Sequence, residues 1–455
     1  MRAVAVKRLC CISLLASLVG ASCSTQSAPT SPVKHVIIID EENHSFDNIF
    51  GRFCADVAAG TIHRDPCDGA LSGKLHSGAT IALQEAADQV PNVEHTVEGQ
   101  IRSIAHGAMD GFDLNALCHA QDNHQCYSTF DPAAIPNETR FASHFAISDH
   151  TFELAAAPSW GGHLVIGAGT LDGFLGKNPH RHPGVKPGPG WGCDSRLDSA
   201  WVDPRTKKVI SEPSCVPDAG GKGPYRPSPV AHVPTIFDHL TQRHVSWKVY
   251  AGTDEPSKPQ GGWAWAVCPS FADCLFSSQR RHIAAADQIK ADAGRNQLPS
   301  FALVTPDFAL SEHGLVSMKN GDNWVGSLVA AVERSPAWSS TVIFLTYDDS
   351  GGFYDHLAPP ASSLGIRLPV VIISPFAKPG YTDSNDATPV SMLAFTEHTF
   401  AVPPLNGTDR HAYDYSRALS FTQQPTSSVA ITTSSIPAVE AARLQTVHDD
   451  PNDPT

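Results

Sequence analysis

Apolar residues come in short, dense runs along this chain. Lys34–Asp40 (KHVIIID) is a β-branched run ending in acid, and Phe301–Thr305 (FALVT), Thr341–Tyr347 (TVIFLTY) and Leu368–Ile373 (LPVVII) repeat the form. Runs of that length without alternation predict strands buried on both faces. Between them a helical rhythm takes over: in Asn323–Arg334, Trp324, Leu328, Ala331 and Val332 fall on one face. Strands alternating with helices predict an α/β domain around a mostly parallel central sheet, with helices on both faces.

The remaining stretches set boundaries. Arg2, Lys7 and Arg8 precede an apolar run from Leu9 to Ala21, too short for a permanent bilayer span, so residues 1–22 are expected to be an export signal. Two processing routes fit: ordinary cleavage to a soluble exported protein, or cleavage before Cys23 with a lipid on its sulfur. Residues 23–32 are a Ser/Pro-rich linker, and 33–422 are expected to be one catalytic domain. A Gly/Pro-rich insertion, about 177–262, interrupts that domain, and 423–455 reads as a disordered tail of Ser, Thr, Pro and Asp.

Composition narrows the class. The 455 residues carry 32 Lys+Arg against 46 Asp+Glu, a formal charge of -14, which argues against nucleic acid as a partner and against docking on anionic lipid by charge alone. Setting Cys10, Cys11 and Cys23 aside from the 11 cysteines leaves eight. They fall in neighbouring pairs, Cys54/Cys67, Cys118/Cys126, Cys193/Cys215 and Cys268/Cys274, with no CxxC among them. Four loop-closing disulfides in an oxidising compartment are the expectation.

Polar chemistry follows the strands. After the first comes Glu41-Glu42-Asn43-His44-Ser45-Phe46-Asp47, and after TVIFLTY comes Asp348-Asp349-Ser350-Gly351-Gly352-Phe353-Tyr354-Asp355-His356. Ligands of open α/β sheets bind beyond the strands' carboxyl ends. Two acid clusters there would repel each other, and a divalent cation between them removes the conflict. Singly, such acids are more often helix caps and turn residues. Ser159 opens a helix-like segment in Ala157–His163, where an anion is favoured, although a plain capping serine is the commoner role. Ser311-Glu312-His313-Gly314 puts a histidine after the FALVT strand. Ser45 reads as a helix cap and Ser350 as part of a Gly-Gly turn.

At these residues the chain resembles the bacterial phosphoesterase family of non-haemolytic phospholipases C and acid phosphatases, within the alkaline-phosphatase-like superfamily. VIIIDEENHSFDNIFG is similar to the family's E-N-R-S-F-D-x-x-F-G opening, with His44 where Arg is usual. His95 in NVEHTVEGQ and Met109–Phe112 (MDGF) resemble the next segment, and SDHTFELAAAPSWGGHLVIGAG the region of the nucleophile. TPDFALSEHG is similar to the E-H-P motif with Gly314 for Pro, and TVIFLTYDDSGGFYDHLAPP and GIRLPVVIISPFAKPGY resemble the segments that follow.

The resemblance implies an alkaline-phosphatase-like sandwich in which Glu42, Asn43, Asp348 and Asp349 bind a divalent metal. It implies Ser159 as nucleophile and further metal ligand, with His95, His313 and His356 around the phosphate. All-oxygen ligation leans to Mg, Ca or Mn, with Zn also open. The expected reaction is hydrolysis of a phosphate ester, either a phospholipid headgroup or a small phosphomonoester, through a phosphoserine. Membrane contact is expected only through lipid on Cys23 or through a lipid substrate. A catalytically silent exported binding protein on the same fold is the alternative, and it predicts a missing ligand or nucleophile; none is missing. The departures, His44 for Arg and Gly162 for the usual Asn, bear on substrate preference.

Overall fold

The computed structural model describes residues 31–118, 124–181, 183–252 and 262–447. The expected export signal (1–22), Cys23 and most of the expected linker lie outside them. Among the described residues no helix is long and apolar enough to cross a membrane.

Eight strands form the main sheet: β1 (His35–Glu41), β2 (Ala146–Phe152), β3 (Trp247–Ala251), β4 (Ile283–Ala285), β5 (Phe301–Val304), β6 (Thr341–Tyr347), β7 (Arg367–Ile373) and β8 (Thr382–Asp383). Their order is β4-β3-β5-β1-β6-β7-β2-β8, and β7 alone runs against the rest. The four apolar runs therefore became β1, β5, β6 and β7, with β1 between β5 and β6 at the centre. Val36, Ile37, Ile38 and Ile39 are at most 1% exposed, and burying each such side chain stabilises by roughly 1.5–3 kcal/mol.

Helices α1 (Phe46–Ala58), α2 (Val97–Ile104), α3 (Pro136–His144), α4 (Ser159–Ala168) and α5 (Met318–Glu333) flank the sheet, and α6 (Ala438–Leu444) lies in the tail. Strand side chains alternate faces. The carboxylate of Asp40 lies 3.7 Å from His163 of α4, whereas Glu41 feels the charge of Glu138 of α3. Helices thus cover both faces, and β1 delivers acids to each. On α5, Trp324, Leu328 and Val332 are buried as the spacing predicts. All four neighbouring cysteine pairs are closed; Cys54–Cys67 ties α1 to the loop after it.

Three expectations need correcting. Strand β2 (AISDHTF) was hidden by Ser148, Asp149 and His150 in its middle; Asp149 is satisfied by Asp68 N–H at 2.9 Å and Ser384 Oγ at 2.7 Å, so a polar centre costs little there. The insertion ends earlier than 262: it contains a three-stranded antiparallel sheet (His180–Arg181, Leu197–Val202, Val209–Pro213) beside the Cys193–Cys215 bridge. The helix Ile236–Gln242 and β3 belong to the main domain, where Lys248 reaches Asp292 at 2.6 Å and lets a charged residue sit mid-strand.

The tail from 423 is ordered as far as residue 447. Asn137 exchanges bonds with Thr432 N–H and C=O (2.7 and 2.8 Å), and Asn323 does the same with Ser434 (2.7 and 2.9 Å). Thr426 and Leu444 are 6% exposed. Side-chain amides thus supply pairing that an apolar pattern would not reveal. Truncation after Gln423 should lower the melting temperature, since bonds of this kind contribute about 1 kcal/mol each. Differential scanning calorimetry of the truncated chain checks this; an unchanged transition contradicts it.

Candidate active site

With β7 reversed, strands β1, β2, β5 and β6 end at one rim, and the segments carrying the polar residues leave from there. Glu42 and Asn43 follow β1. Asp348 and Asp349 follow β6. Glu312 and His313 lie in the loop after β5, and Ser159 begins α4 after β2. The turn out of β6 closes tightly on β1: Gly351 adopts φ 61°, and a Cβ there would overlap Asn43 O. Asn43 itself sits in the left-handed region at φ 68°. Its N–H donates to Asp348 Oδ1 at 3.0 Å, which also accepts from Asp349 N–H at 2.7 Å.

Ser159 is 2% exposed. Its Oγ lies 3.2 Å from Asn43 Oδ1 and 3.2 Å from Asp349 Oδ2. The same Asn43 atom lies 3.1 Å from Asp348 Oδ1. Four of the five expected ligands therefore place oxygens around one point. An amide oxygen facing only acceptors would ordinarily be turned over. Here His313 decides the matter. Its Nδ1 donates to Gly314 O at 2.9 Å, so a neutral ring accepts at Nε2, and the Asn43 amide nitrogen stands 2.8 Å from that atom. The oxygen is thereby aimed at Ser159 and the aspartates.

The fifth expected ligand, Glu42, stands beside a residue that sequence reasoning missed. His163 Nε2 is 3.1 Å from Glu42 Oε1 and 3.8 Å from Asp348 Oδ2, and Glu42, His163 and Asp348 are close enough together to hold one metal ion. Asp348 thus offers one oxygen to the Ser159 side and the other to His163. Burial lowers the His163 pKa to about 4, which keeps the imidazole neutral and its lone pair available. Burial, then the neighbouring Asp348 charge, raises Glu42 and Asp349 well above the usual carboxylate range. Glu42 Oε2 and Asp348 Oδ2 are buried without a hydrogen-bond partner. Crowded carboxylates with orphaned oxygens beside a neutral imidazole fit a divalent cation, and the nitrogen donor ends the all-oxygen argument against zinc. The signal for His163 was its place four residues after Ser159, one turn along the same helix face. Gly162 has its own reason: a Cβ there would lie 2.5 Å from Asp348 O, so α4 could not seat with a larger residue.

His95 joins the site. Its Nδ1 contacts Val93 O at 2.7 Å, and Nε2 lies 3.8 Å from Asp349 Oδ2. His44, buried where the resembled family has Arg, contacts Asn48 Oδ1 (2.6 Å) and Glu312 O (2.9 Å) and stacks on Phe353; burial lowers its pKa to about 4. Ser45 caps α1, accepting from Asn48 N–H at 3.3 Å.

The structure does not bring His356 to Ser159. Its ring spans Asp47 (2.7 Å) and Asp68 (3.1 Å). Beside it, buried Arg367 reaches Asp47 at 3.2 Å and Asp355 at 3.1 Å and lies 4.2 Å from the Phe46 ring centroid. Both His356 nitrogens have acid partners, so the ring is held as a structural ion pair. Burial works against its charge, but the hydrogen bond and charge of Asp47, then Asp355, outweigh that and raise the pKa to about 9.

The arrangement defines an α/β protein with a serine, carboxylate and histidine site at the carboxyl rim of its sheet. The chain belongs to the Phosphoesterase family, whose model matches residues 33–403. It is similar to non-hemolytic phospholipase C of Burkholderia pseudomallei (26% identity; 36% of this chain, 32% of that one) and non-specific phospholipase C6 of Arabidopsis thaliana (22%; 81% and 66%). In both, the match spans less than two thirds of the relative. Phospholipase C A of Mycobacterium tuberculosis is 26% identical over 87% of this chain and 78% of that one. Among solved structures, a protein of the alkaline phosphatase superfamily from Vibrio parahaemolyticus aligns with TM-score 0.41 and 11% identity, covering 86% of this chain and 71% of that one.

Two outcomes follow. His313→Phe frees the Asn43 amide to turn over and should weaken metal binding about 10- to 100-fold, as loss of an orienting partner does; calorimetric titration of chelator-treated protein measures it. His356 has a folded pKa of about 9 against about 6.5 unfolded, so its stabilisation is complete below about pH 6.5 and fades as pH rises to 9. The melting temperature of the wild type should therefore fall across that window more than that of His356→Gln, and parallel curves would contradict the assignment.

Proposed function

We propose that this chain is an exported phosphoric ester hydrolase that acts through a phosphoserine on Ser159. The carrying observation is the Ser159 hydroxyl at the N-terminus of α4, held between Asn43 and Asp349 within a ring of buried acids. A helix N-terminus favours the negative charge that develops on such an oxygen. Glu42, Asn43, Asp348 and Asp349, with Ser159 and His163, would hold a divalent cation, which when bound supplies positive charge for the serine oxygen and the phosphoryl group. Ser159 Oγ forms the bond to phosphorus as the bond from phosphorus to the ester oxygen breaks. The serine proton passes by way of Asp349 Oδ2, 3.2 Å from Oγ, to His95 Nε2, 3.8 Å from that oxygen. His95, fixed through Val93 O, would hand it to the leaving oxygen. Water then opens the phosphoserine and frees the enzyme.

The leaving group is read from the surface beside the site. A cleft of about 490 Å³ is lined by Val97, Ile101 and Ile104 of α2 with Leu171, Phe174 and Leu364. Its α2 wall begins two residues after His95, and Ala155 and Ala156 of the same cleft lead into Ser159. An apolar trough continuous with the nucleophile's segment suits a glycerolipid leaving group better than a small polar alcohol. Relatives named phospholipase C support the same choice. Four disulfides support export, since such bonds persist in oxidising compartments.

Rapid acid quench with substrate followed by intact mass spectrometry tests the reading. Phosphatidylcholine should leave a phosphocholine mass on the wild type and none on Ser159→Ala, with turnover reduced by several orders of magnitude. The same adduct on Ser159→Ala would overturn the nucleophile. Faster turnover of p-nitrophenyl phosphate than of bis-p-nitrophenyl phosphate or the lipid would replace the lipid assignment with a monoesterase.

A further inference from the structure

One buried amide joins the two segments on which the proton transfer described above depends. Gln100 of α2 is wholly buried. Its Nε2 donates to Ala157 O at 2.9 Å and to His95 O at 3.3 Å. Ala157 stands two residues before Ser159, and His95 is the histidine that faces Asp349. An amide nitrogen carries two hydrogens, and here each meets one of the two segments. Among the described residues no backbone N–H reaches Ala157 O, so the side chain supplies that carbonyl's hydrogen bond. Gln100 Oε1, by contrast, is buried without a hydrogen-bond partner. A residue serving only to fill space would not bring the cost of a buried, unused acceptor.

The helix that carries this bridge is itself held in place. Thr96 caps α2, accepting from Gly99 N–H at 3.0 Å, and Asn115 Nδ2 donates to Ser103 Oγ at 2.8 Å. Arg102 pairs at 3.1 Å with Glu94, the neighbour of His95. Val97, Ile101 and Ile104 of the same helix line the apolar cleft. The wall offered to a leaving group and the link between histidine and serine are thus parts of one short element.

We propose that Gln100 is a positioning residue: it keeps the His95 imidazole in register with Ser159, so that the serine's proton reaches the leaving oxygen. The proposal rests on the functional reading above and adds a residue to it. In the step concerned the bond from Oγ to phosphorus forms and the bond to the ester oxygen breaks. The proton moves from Ser159 by way of Asp349 and His95 to the departing alkoxide. Such transfer needs groups within hydrogen-bond reach, and a displacement of about 1 Å can cost about 100-fold. Without the bridge, His95 and Ser159 remain but lose their common support. An alkoxide leaves poorly unless it is protonated. A p-nitrophenolate spreads its charge over the ring and departs without a proton. The defect should therefore depend on the leaving group, which a loss of packing alone would not produce.

Gln100→Met keeps the shape of the side chain and removes both donors. The measurement is kcat/KM, which reports transfer to the serine, for two esters of the same phosphocholine group: p-nitrophenylphosphocholine and a monomeric short-chain phosphatidylcholine. Gln100→Met should lose about 10- to 100-fold more on the lipid than on the nitrophenyl ester. Gln100→Asn keeps the amide but draws it back by one methylene. It should show the same bias in smaller measure, and it decides the matter if Gln100→Met does not fold. Equal losses on the two esters, or none, would overturn the proposal and leave the functional reading intact. A wild type that prefers monoesters moves the comparison to p-nitrophenyl phosphate against glycerol 3-phosphate, with the same bias expected. A wild type inactive on all four would overturn the functional reading and the proposal with it.

Discussion

Carboxylates crowded at the carboxyl rim of a parallel sheet repel one another and lose water, and the rest of this structure is arranged around that cost. Asp40, Glu42, Asp348 and Asp349 lie within one buried neighbourhood, at most 4% exposed. Two unit charges 4 Å apart repel by about 4 kcal/mol at an effective dielectric of 20. A domain with a typical margin of about 5–15 kcal/mol cannot hold several such pairs ionised without a counter-charge. The backbone meets part of the need: Asp348 Oδ1 accepts from two N–H groups, and Asp349 Oδ1 accepts from Gly351 N–H at 2.6 Å. These bonds also fix where the remaining oxygens point. The constraint that makes the rim expensive is the one that makes it chemically specific.

Much of this was legible in the residues. An unbroken β-branched run can only be a strand buried on both faces, so β1, β5, β6 and β7 were found within about a residue of their ends. Acid clusters after such strands had to meet, and the family resemblance singled out Glu42, Asn43, Asp348 and Asp349 within them. Ser159 was separable from Ser45 and Ser350 because only it opens a helix clear of the acid clusters. What sequence could not reach depended on partners far along the chain. The polar middle of β2 is paid for by Asp68 and Ser384, and the tail is held by Asn137 and Asn323; no local pattern encodes either. His356 follows the acid cluster closely in sequence, yet the turn carries it to Asp47 and Asp68. His163 lies one helical turn after Ser159, but its approach to Glu42 and Asp348 depends on segments far along the chain.

His313 shows how a residue can matter to such a site without supplying a ligand. A backbone carbonyl fixes its Nδ1 proton, Nε2 faces the Asn43 amide nitrogen, and the amide oxygen is left facing Ser159. The orientation of one amide then rests on a hydrogen-bond chain of two steps. His44 contacts the carbonyl of Glu312, next to His313, so the loop after β5 is tied to the loop after β1. Asn43 and Glu312, each at φ 68°, are where this joint is strained.

Topology explains which acids receive an internal cation. Seven strands present their carboxyl ends at the rim, but β7 runs the other way, so its first residue lies there instead; Arg367 is the register partner of Phe152, the last residue of β2. Arg367 is the sole buried arginine or lysine among the described residues. Its guanidinium is committed to Asp47 and Asp355, with the Asp68 and Asp149 carbonyls taking its remaining nitrogen at 2.7 and 3.0 Å. That corner is electrically closed by the protein itself. Although β7 also borders β6, its Arg367 turns to Asp47 and Asp355 and not to the acids that follow β1 and β6, and the nearby histidines His163 and His44 are kept neutral by burial. Among the described residues no Lys or Arg pairs with Asp40, Glu42, Asp348 or Asp349, so their neutralisation falls to an ion, to protons or to His95 beside Asp349. The reversal of a single strand thus supplies the arginine of the ion network around Asp47 and Asp355, while the candidate ligand cluster of Glu42, His163 and Asp348 is left without one.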